Sequence, residues 1–283
     1  MTNEIMKKFE IKMAEKGIDI STSEVIKLQE ESYTGIALSF GPVPAPVLRL
    51  DEFEQMAEKA EDEIVDAMME KAEALLAKAA TESFVSRMDF LGVYDEVRPR
   101  LFMAVVETER NKYTLRRCPH RSLVDMSAVC RVNVSEDDEN IASALVTDSM
   151  MKLWGVTEEQ LFADAYDNMS VELMDMGAIV PGADADCPIK IARTKGIQAN
   201  GAGVIAMPNF CEEMARKFGK SFYLLPSSIH EVLLVPDDDM FSPEPMVEMV
   251  RDINRTQVSL QERLTDNAYY YNKDTAELTA LAD

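Results

Sequence analysis

Residues 221–236 read SFYLLPSSIHEVLLVP, which predicts two β-strands around a turn. Residues 222–225 and 232–235 are apolar runs rich in strand-forming side chains, and the Pro-Ser-Ser sequence between them is typical of a turn. The second run is apolar at every position and would therefore be buried on both faces. We expect this hairpin to lie inside a sheet and not at its edge.

Outward from this hairpin, apolar patterns predict a series of short elements. Strands are predicted at residues 20–29, 33–40, 45–50, 124–134, 141–147, 189–194, 204–207 and 268–272. Helices are predicted at residues 4–16, 51–79, 149–154, 157–169 and 209–218, after Pro99 and after Ser242. Because strands come in hairpins and helices in blocks, we predict an α+β fold with mostly antiparallel sheet.

Three of the predicted helices begin with the spacing of a capping box, in which two side chains bond to free backbone N–H groups. The pairs are Asp51 with Glu54, Thr157 with Gln160, and Asn209 with Glu212. Pro99 suits the first turn of another helix, since proline lacks the N–H that would be unbonded there. The apolar residues of that helix would be Leu101, Met103, Ala104 and Val105.

The domain organisation has one weak signal, a loop-like segment at residues 176–188. It divides the chain into two α+β regions, residues 1–175 and residues 176–283. A single continuous domain is the alternative, since no long linker or repeat interrupts the sequence.

Composition restricts the function classes. The 283 residues contain 51 Asp and Glu against 29 Lys and Arg, a net charge of −22 that disfavours nucleic acid and anionic membranes as partners. No segment approaches the roughly 20 apolar residues of a membrane-spanning helix, and the amino-terminal residues are too charged for a signal peptide. We expect a soluble cytoplasmic protein with four reduced cysteines, no structural zinc site and no cofactor.

His120 and His230, the two histidines, lie in the segments with the most suggestive chemistry. If folding brings them together, His230 is a candidate general base for Ser227, Ser228 or Cys118 as nucleophile. Alternatively, both histidines with Glu231 could bind a metal, although the H-E-x-x-H pattern is incomplete. A structural role, with each histidine bonded to its own turn, is the third interpretation, and we assign no metal ligand.

Residues 201–206, GAGVIA, match the loose G-x-G-x-x-A pattern of dinucleotide-binding loops. The predicted helix after them starts too late to place its N-terminus on a pyrophosphate. We therefore predict a tight turn before the strand at residues 204–207.

A basic segment stands out from the acidic chain. Between Arg98 and Arg131, eight Lys and Arg residues face only three Asp and Glu residues. Arginine forks suit carboxylates and phosphates, so Arg116, Arg117 and Arg121 are candidate ligand-binding residues. The alternative is that this segment pairs with the acidic face of the helix that we predict after Asp51.

Three segments carry a resemblance to a known family: CPHRSLVD from Cys118, LWGVTEEQL from Leu153 and FYLLPSSIHEV from Phe222. With residues 251–267, they resemble an uncharacterised domain-of-unknown-function family found mainly in gut clostridia and related Firmicutes. The resemblance implies a cytoplasmic bacterial protein and implies no activity, cofactor or catalytic residue.

The lopsided charge and the lack of a complete catalytic motif favour a binding or adaptor module for a small acidic ligand or a protein partner. The alternative is an enzyme of hydrolase type that uses His230 with Ser227, Ser228 or Cys118. A third possibility is a structural oligomer subunit that associates through exposed methionines.

Overall fold

The computed structural model describes residues 2–26, 32–39, 46–79, 89–134, 143–179, 187–197, 199–226, 228–238 and 242–281. The chain forms two compact units, Met1–Leu91 and Gly92–Asp283, which we call the first and the second unit. The predicted α+β class is confirmed, since helices accompany sheets in which every described strand pair is antiparallel.

The first unit is a three-stranded antiparallel sheet with two helices packed on it. In chain order its described elements are α1 (Asn3–Glu15), β1 (Asp19–Ile26), β2 (Ser32–Ser39), β3 (Val47–Arg49), a 3-10 helix (Asp51–Met56) and α2 (Glu61–Ala79), and a second 3-10 helix (Phe90–Gly92) begins at its end. Phe9 and Met13 of α1 and Met68 of α2 are fully buried against Ile36 and Leu38 of the sheet. Helical periodicity in α1 and α2 therefore directs one apolar stripe of each helix into a common core.

Ion pairs join the surfaces of α1 and α2. They are Lys8 with Glu61 and Asp62, Lys12 with Asp66, and Lys16 with Glu73, at nitrogen–oxygen distances of 2.7–3.1 Å. The pairs advance in the same direction along both helices, so the helices run parallel. The acidic face of α2 is thus partly neutralised by lysines of its own unit.

The predicted helix start at Asp51 is wrong. Asp51 opens the short 3-10 helix, and α2 begins ten residues later at Glu61. The Asp51 carboxylate accepts hydrogen bonds from Nε and Nη2 of Arg49, at 3.1 and 2.6 Å, and Asp51 is the first residue of the 3-10 helix, whose N-cap is Leu50.

The described residues of the second unit form two antiparallel sheets, one of four strands and one of six. The strands of the first are β4 (Leu101–Glu107), β5 (His120–Leu123), β6 (Met126–Asn133) and β7 (Ser143–Leu145). Strand β4 pairs along one edge of β6, while β5 and β7 pair with opposite ends of its other edge. Cys130 lies in the core as the alternation of residues 124–134 predicts.

The six-stranded sheet has the order β13-β12-β10-β11-β9-β8. Its strands are β8 (Val171–Asp175), β9 (Lys190–Thr194), β10 (Phe222–Leu225), β11 (Val232–Pro236), β12 (Tyr269–Asn272) and β13 (Glu277–Ala280). Strands β10 and β11 are the predicted hairpin and lie at the centre of the sheet, which confirms that prediction. Phe222 and Leu224 face one apolar cluster and Tyr223 and Leu225 face another, so both faces of the hairpin are buried.

Seven α-helices lie among the described residues of the second unit. They are α3 (Tyr94–Val97), α4 (Lys112–Leu115), α5 (Asp148–Trp154), α6 (Glu158–Asp167), α7 (Met176–Ile179), α8 (Phe210–Phe218) and α9 (Pro243–Thr256). Helix α9 packs on one face of the six-stranded sheet, and α8 packs on the other with the 3-10 helix Gly201–Ala206. None of the described helices combines the length and the apolarity that crossing a lipid bilayer requires.

Three local predictions for this unit are wrong. Residues 101–107 form strand β4 and not a helix after Pro99, because its first six residues are buried and the strand pairs along β6. Residues 204–207 lie mostly in the 3-10 helix and not in a strand. Asn209 adopts a left-handed conformation (φ 64°) in which its side chain makes no capping hydrogen bond.

The division into units falls at residues 91 and 92, whereas the sequence suggests a boundary near residues 176–188. Strand β8 precedes that segment and pairs with β9, which follows it. Hydrogen bonding between these two strands joins the residues on either side of the segment 176–188 in one sheet, and the predicted boundary there stays a prediction.

Candidate functional site

His230 lies in the connection between β10 and β11, and local bonds fix its backbone. Its N–H donates to Oγ of Ser228 at 3.0 Å, and its carbonyl lies against Gly201. Nε2 of the imidazole is 3.3 Å from Oε1 of Glu262, so the carboxylate beside the ring is Glu262 and not the adjacent Glu231. Glu262 is distant in sequence and follows α9, and no local pattern indicates this pairing.

Of the two candidate serines near His230, Ser228 is the one that the structure describes. Ser228 is 7% exposed and forms an isolated antiparallel bridge with Arg263. Its hydroxyl oxygen accepts the bond from the His230 N–H, which is the bonding of a turn and not of a nucleophile with its base. Ser227 lies outside the described residues.

His120 and Cys118 lie at the start of β5. Nδ1 of His120 is 3.0 Å from the carbonyl oxygen of Cys118, so the ring is bonded to backbone and not to the thiol. Burial, with a smaller effect of the negative charge of Asp148, raises the pKa of the Cys118 thiol to about 11. Cys118 is therefore a neutral thiol near pH 7, which is a weak nucleophile.

The described hydrogen bonds and ion pairs do not join His120 to His230, nor either imidazole to a serine hydroxyl or a thiol. Among the described residues, no three His, Cys, Asp or Glu side chains form a group that could hold a metal ion. The catalytic roles of His230, Ser228, Glu231, His120 and Cys118 stay predictions.

The candidate arginines have different surroundings. The guanidinium of Arg116 lies 5.4 Å from the centre of the exposed Tyr113 ring, while Arg117 is exposed and its carbonyl accepts a backbone bond from Asp148. The guanidinium of Arg121 lies 4.2 Å from the centre of the buried Phe162 ring. Arg121 also lines a cavity.

This cavity, which we call the Arg121 cavity, has a volume of about 390 Å³. It lies between β5, α6 and the end of the 3-10 helix Gly201–Ala206. Its apolar lining comprises Met103, Leu123, Ala128, Phe162, Ala163, Ala206 and Pro208, and its polar lining comprises Arg121, Ser122, Glu159 and Tyr166. Such a mixture of apolar wall and few polar groups is typical of sites for small molecules.

Helix α6 supplies one wall of the Arg121 cavity, and its position follows from its sequence. Oγ1 of Thr157 accepts the N–H of Gln160 at 3.2 Å, which confirms the predicted start of this helix. Leu161 and Phe162 then point into the core. The hydroxyl of Tyr94 in α3 donates a hydrogen bond to Oδ2 of Asp164 at 2.7 Å, and this bond connects α6 with α3.

Two glutamates of α6 lie near Arg121. Oε1 of Glu158 is 3.7 Å from Nε of Arg121. The pKa of Glu159 is lowered by a bond from its own backbone N–H, by a bond from Thr157 and, less strongly, by the charge of Arg121. Glu159 is therefore ionised near neutral pH at the rim of the cavity.

The glycines of GAGVIA serve packing and not phosphate binding. A Cβ on Gly203 would lie 1.9 Å from the carbonyl oxygen of Met103, and one on Gly201 would lie 2.4 Å from that of His230. Both glycines are buried, so no dinucleotide can approach them. The prediction against a dinucleotide site agrees with this arrangement.

The fold and the cavity together define the class: an α+β protein of antiparallel sheets whose second unit carries a small cavity lined by one arginine. The chain matches the family of unknown function DUF5688 over residues 1–273 and belongs to that family. The resemblance carried by the segments from Cys118, Leu153 and Phe222 is thereby confirmed. No curated protein and no solved structure matches the chain.

Proposed function

We propose that the chain is a binding module for a small acidic ligand, which the Arg121 cavity receives. The observation that carries the proposal is the position of Arg121, whose guanidinium lies over Phe162 at the wall of an apolar cavity. A stacked guanidinium keeps its N–H donors at its edge, where a carboxylate or phosphate can accept two of them.

The surroundings of Arg121 support recognition of an anion. Its side chain is 47% exposed, so it is accessible, while Phe162, Met103 and Ala128 are buried behind it. A low-dielectric wall strengthens a charged hydrogen bond relative to one in water. A ligand with an apolar body in the cavity and an anionic group on Arg121 would reach an accessible guanidinium and bond to it beside this apolar wall.

A small ligand fits this site better than an acidic protein partner does. The Arg121 cavity is concave, whereas Arg116 and Arg117 are exposed on the segment that precedes β5. A protein partner would instead be expected to contact the exposed Arg116 and Arg117 as well, so its affinity should fall in Arg116→Gln and Arg117→Gln as it does in Arg121→Gln.

The hydrolase alternative has weaker support. The imidazole of His230 lies beside Glu262, and the described hydroxyl near it, Ser228 Oγ, accepts the backbone N–H of His230 itself. We therefore expect His230→Ala to leave ligand binding at the Arg121 cavity unchanged.

The test is thermal unfolding of the full chain with a panel of small anions: phenylacetate, hexanoate, phenyl phosphate and inorganic phosphate. A ligand at about 100 times its dissociation constant stabilises the folded state by about 2.7 kcal/mol, which raises the midpoint by several degrees. We expect at least one anion to stabilise the wild type and not Arg121→Gln.

Arg116→Gln and Arg117→Gln remove the same charge from the same segment and are the matched controls. They should keep the ligand-induced shift. A shift of equal size in Arg121→Gln, or no shift with any anion, would exclude the Arg121 cavity as the binding site.

A further inference from the structure

We infer that the ligand of the Arg121 cavity is an amphipathic monocarboxylate, and that Glu158 is a built-in competitor for its place on Arg121. The inference rests on the proposed function and specifies the chemical class of the ligand. It starts from the geometry of the Arg121–Glu158 pair.

Glu158 holds Arg121 only loosely. The distance of 3.7 Å between Nε of Arg121 and Oε1 of Glu158 is within the range of an ion pair. It is longer than the 2.7–3.2 Å of a hydrogen bond, so this contact does not saturate the guanidinium donors. Both side chains are nearly half exposed, at 47% and 43%, which further weakens their attraction.

A ligand carboxylate would engage Arg121 more strongly than Glu158 does. It could approach the guanidinium edge in the two-bond geometry that arginine and carboxylate prefer. Its apolar body would simultaneously cover Leu123, Ala163 and Pro208, the lining residues that are still accessible to water, a gain that the Glu158 side chain does not supply from its place on the surface. Glu158 therefore lies beside Arg121 in the unliganded protein as a weak competitor, and the ligand carboxylate displaces it from the guanidinium.

The charge at the cavity favours a monoanion over a dianion. Two carboxylates lie near the guanidinium of Arg121: Glu159 lines the cavity, and Glu158 lies beside the arginine at 3.7 Å. A phosphate monoester brings a charge of about −1.5 to −2 at pH 7, and each additional negative charge increases the repulsion from both glutamates. A monocarboxylate meets the same arginine with the smallest repulsion.

The experiment is titration calorimetry of the full chain at pH 7 with phenylacetate, hexanoate, the neutral isostere phenylacetamide, and phenyl phosphate. We expect both carboxylates to bind at least tenfold more tightly than phenylacetamide, and more tightly than phenyl phosphate. Glu158→Gln should tighten phenylacetate binding about two- to fivefold, the range set by loss of one exposed ion pair. Asp167→Asn removes an exposed carboxylate from the end of the same helix and should change binding less than twofold.

The outcomes separate the inference from the proposed function. Tighter binding of phenyl phosphate than of phenylacetate, or unchanged phenylacetate binding in Glu158→Gln, overturns the inference while the acid-binding function stands. Failure of all anions to bind overturns both. Since Glu158 is in the first turn of α6, the unfolding midpoint of Glu158→Gln is measured alongside, and Glu158→Asp, which keeps the charge, should bind phenylacetate as the wild type does.

Discussion

At the scale of single residues, Asp125 joins two parts of the second unit through its carboxylate. It lies between β5 and β6 and accepts hydrogen bonds from the hydroxyl of Tyr269 and, at 2.7 Å, from Nδ2 of Asn267. Tyr269 is fully buried at the start of β12. Burial first, and then the bond to Asp125, raise the pKa of the Tyr269 phenol above its ordinary value.

This raised pKa predicts a loss of stability in alkali. The folded state favours the neutral phenol, whereas the unfolded chain ionises from about pH 10. The contribution of Tyr269 to the free energy of unfolding is therefore complete below about pH 10. It is lost as the pH rises towards the pKa that the phenol has in the folded protein. Tyr269→Phe should lower the free energy of unfolding by about 1–3 kcal/mol at pH 7. Between pH 7 and pH 11, the free energy of unfolding should fall less in this variant than in the wild type.

Urea unfolding at the two pH values measures both effects. Tyr113→Phe is the control, since Tyr113 is 55% exposed. If Tyr269→Phe and the wild type lose the same stability between pH 7 and pH 11, the buried phenol is not responsible.

At the scale of elements, the 3-10 helix Gly201–Ala206 packs backbone to backbone on β4. The position of a Cβ on Gly203 would be 1.9 Å from the Met103 carbonyl oxygen, and a carbonyl in a paired strand cannot rotate away as a flexible side chain can. Gly203→Ala should therefore destabilise the second unit by about 1–3 kcal/mol or more.

Gly92→Ala is the matched control for Gly203→Ala, because a Cβ on Gly92 would meet no heavy atom within 4 Å. Chemical unfolding of both variants measures the difference. Equal stability of the two variants would show that the close approach of Gly203 to β4 does not constrain the fold.

Sequence patterns predicted those elements whose signals are local. The β10–β11 hairpin has two apolar runs and a turn, and α6 has the Thr157 cap, so both were predictable. Strand β4 was not, because a continuously apolar run carries neither helical nor strand periodicity and its pairing with β6 is a tertiary event. The cap at Asp51 failed for a local reason, since Arg49, two residues earlier, bonds to its carboxylate and Asp51 opens a 3-10 helix.

For the candidate site, the sequence indicated the charged residue but not the residues packed against it. The basic segment indicated Arg121, with Arg116 and Arg117, as a candidate ligand-binding residue because charge is visible in sequence, and this assignment stays a prediction. Its neighbours Phe162 and Glu158 lie on a helix some 40 residues later and were not indicated, since a helical face does not specify what it packs against. Glu262 as the partner of His230 was not indicated either, for the same reason.

At the scale of the whole molecule, each unit has a core of its own. Phe9 is fully buried in the cluster of the first unit, and Phe222 is fully buried in a cluster of the second. A separate core is the physical requirement for a unit to unfold by itself. We therefore expect two unfolding transitions. A substitution in the core of one unit should shift the transition of that unit only.

The single tryptophan, Trp154, makes this prediction easy to test because it reports on the second unit alone. Phe9→Ala should destabilise the first unit by about 3–5 kcal/mol, seen by circular dichroism, and leave the fluorescence transition in place. Phe222→Ala should move the fluorescence transition. An equal shift of the fluorescence transition by Phe9→Ala would mean that the units unfold together.

The order of strands in the six-stranded sheet has a consequence for biosynthesis. Strand β10 pairs on one side with β11, which follows within a few residues, and on the other with β12, whose residues are made more than forty positions later. The sheet therefore stays incomplete on the ribosome until residues 269–280 have emerged. In the part of the first unit that the structure describes, the strands end by residue 49 and α2 ends at residue 79, so this unit can fold co-translationally while the larger sheet still awaits its final strands.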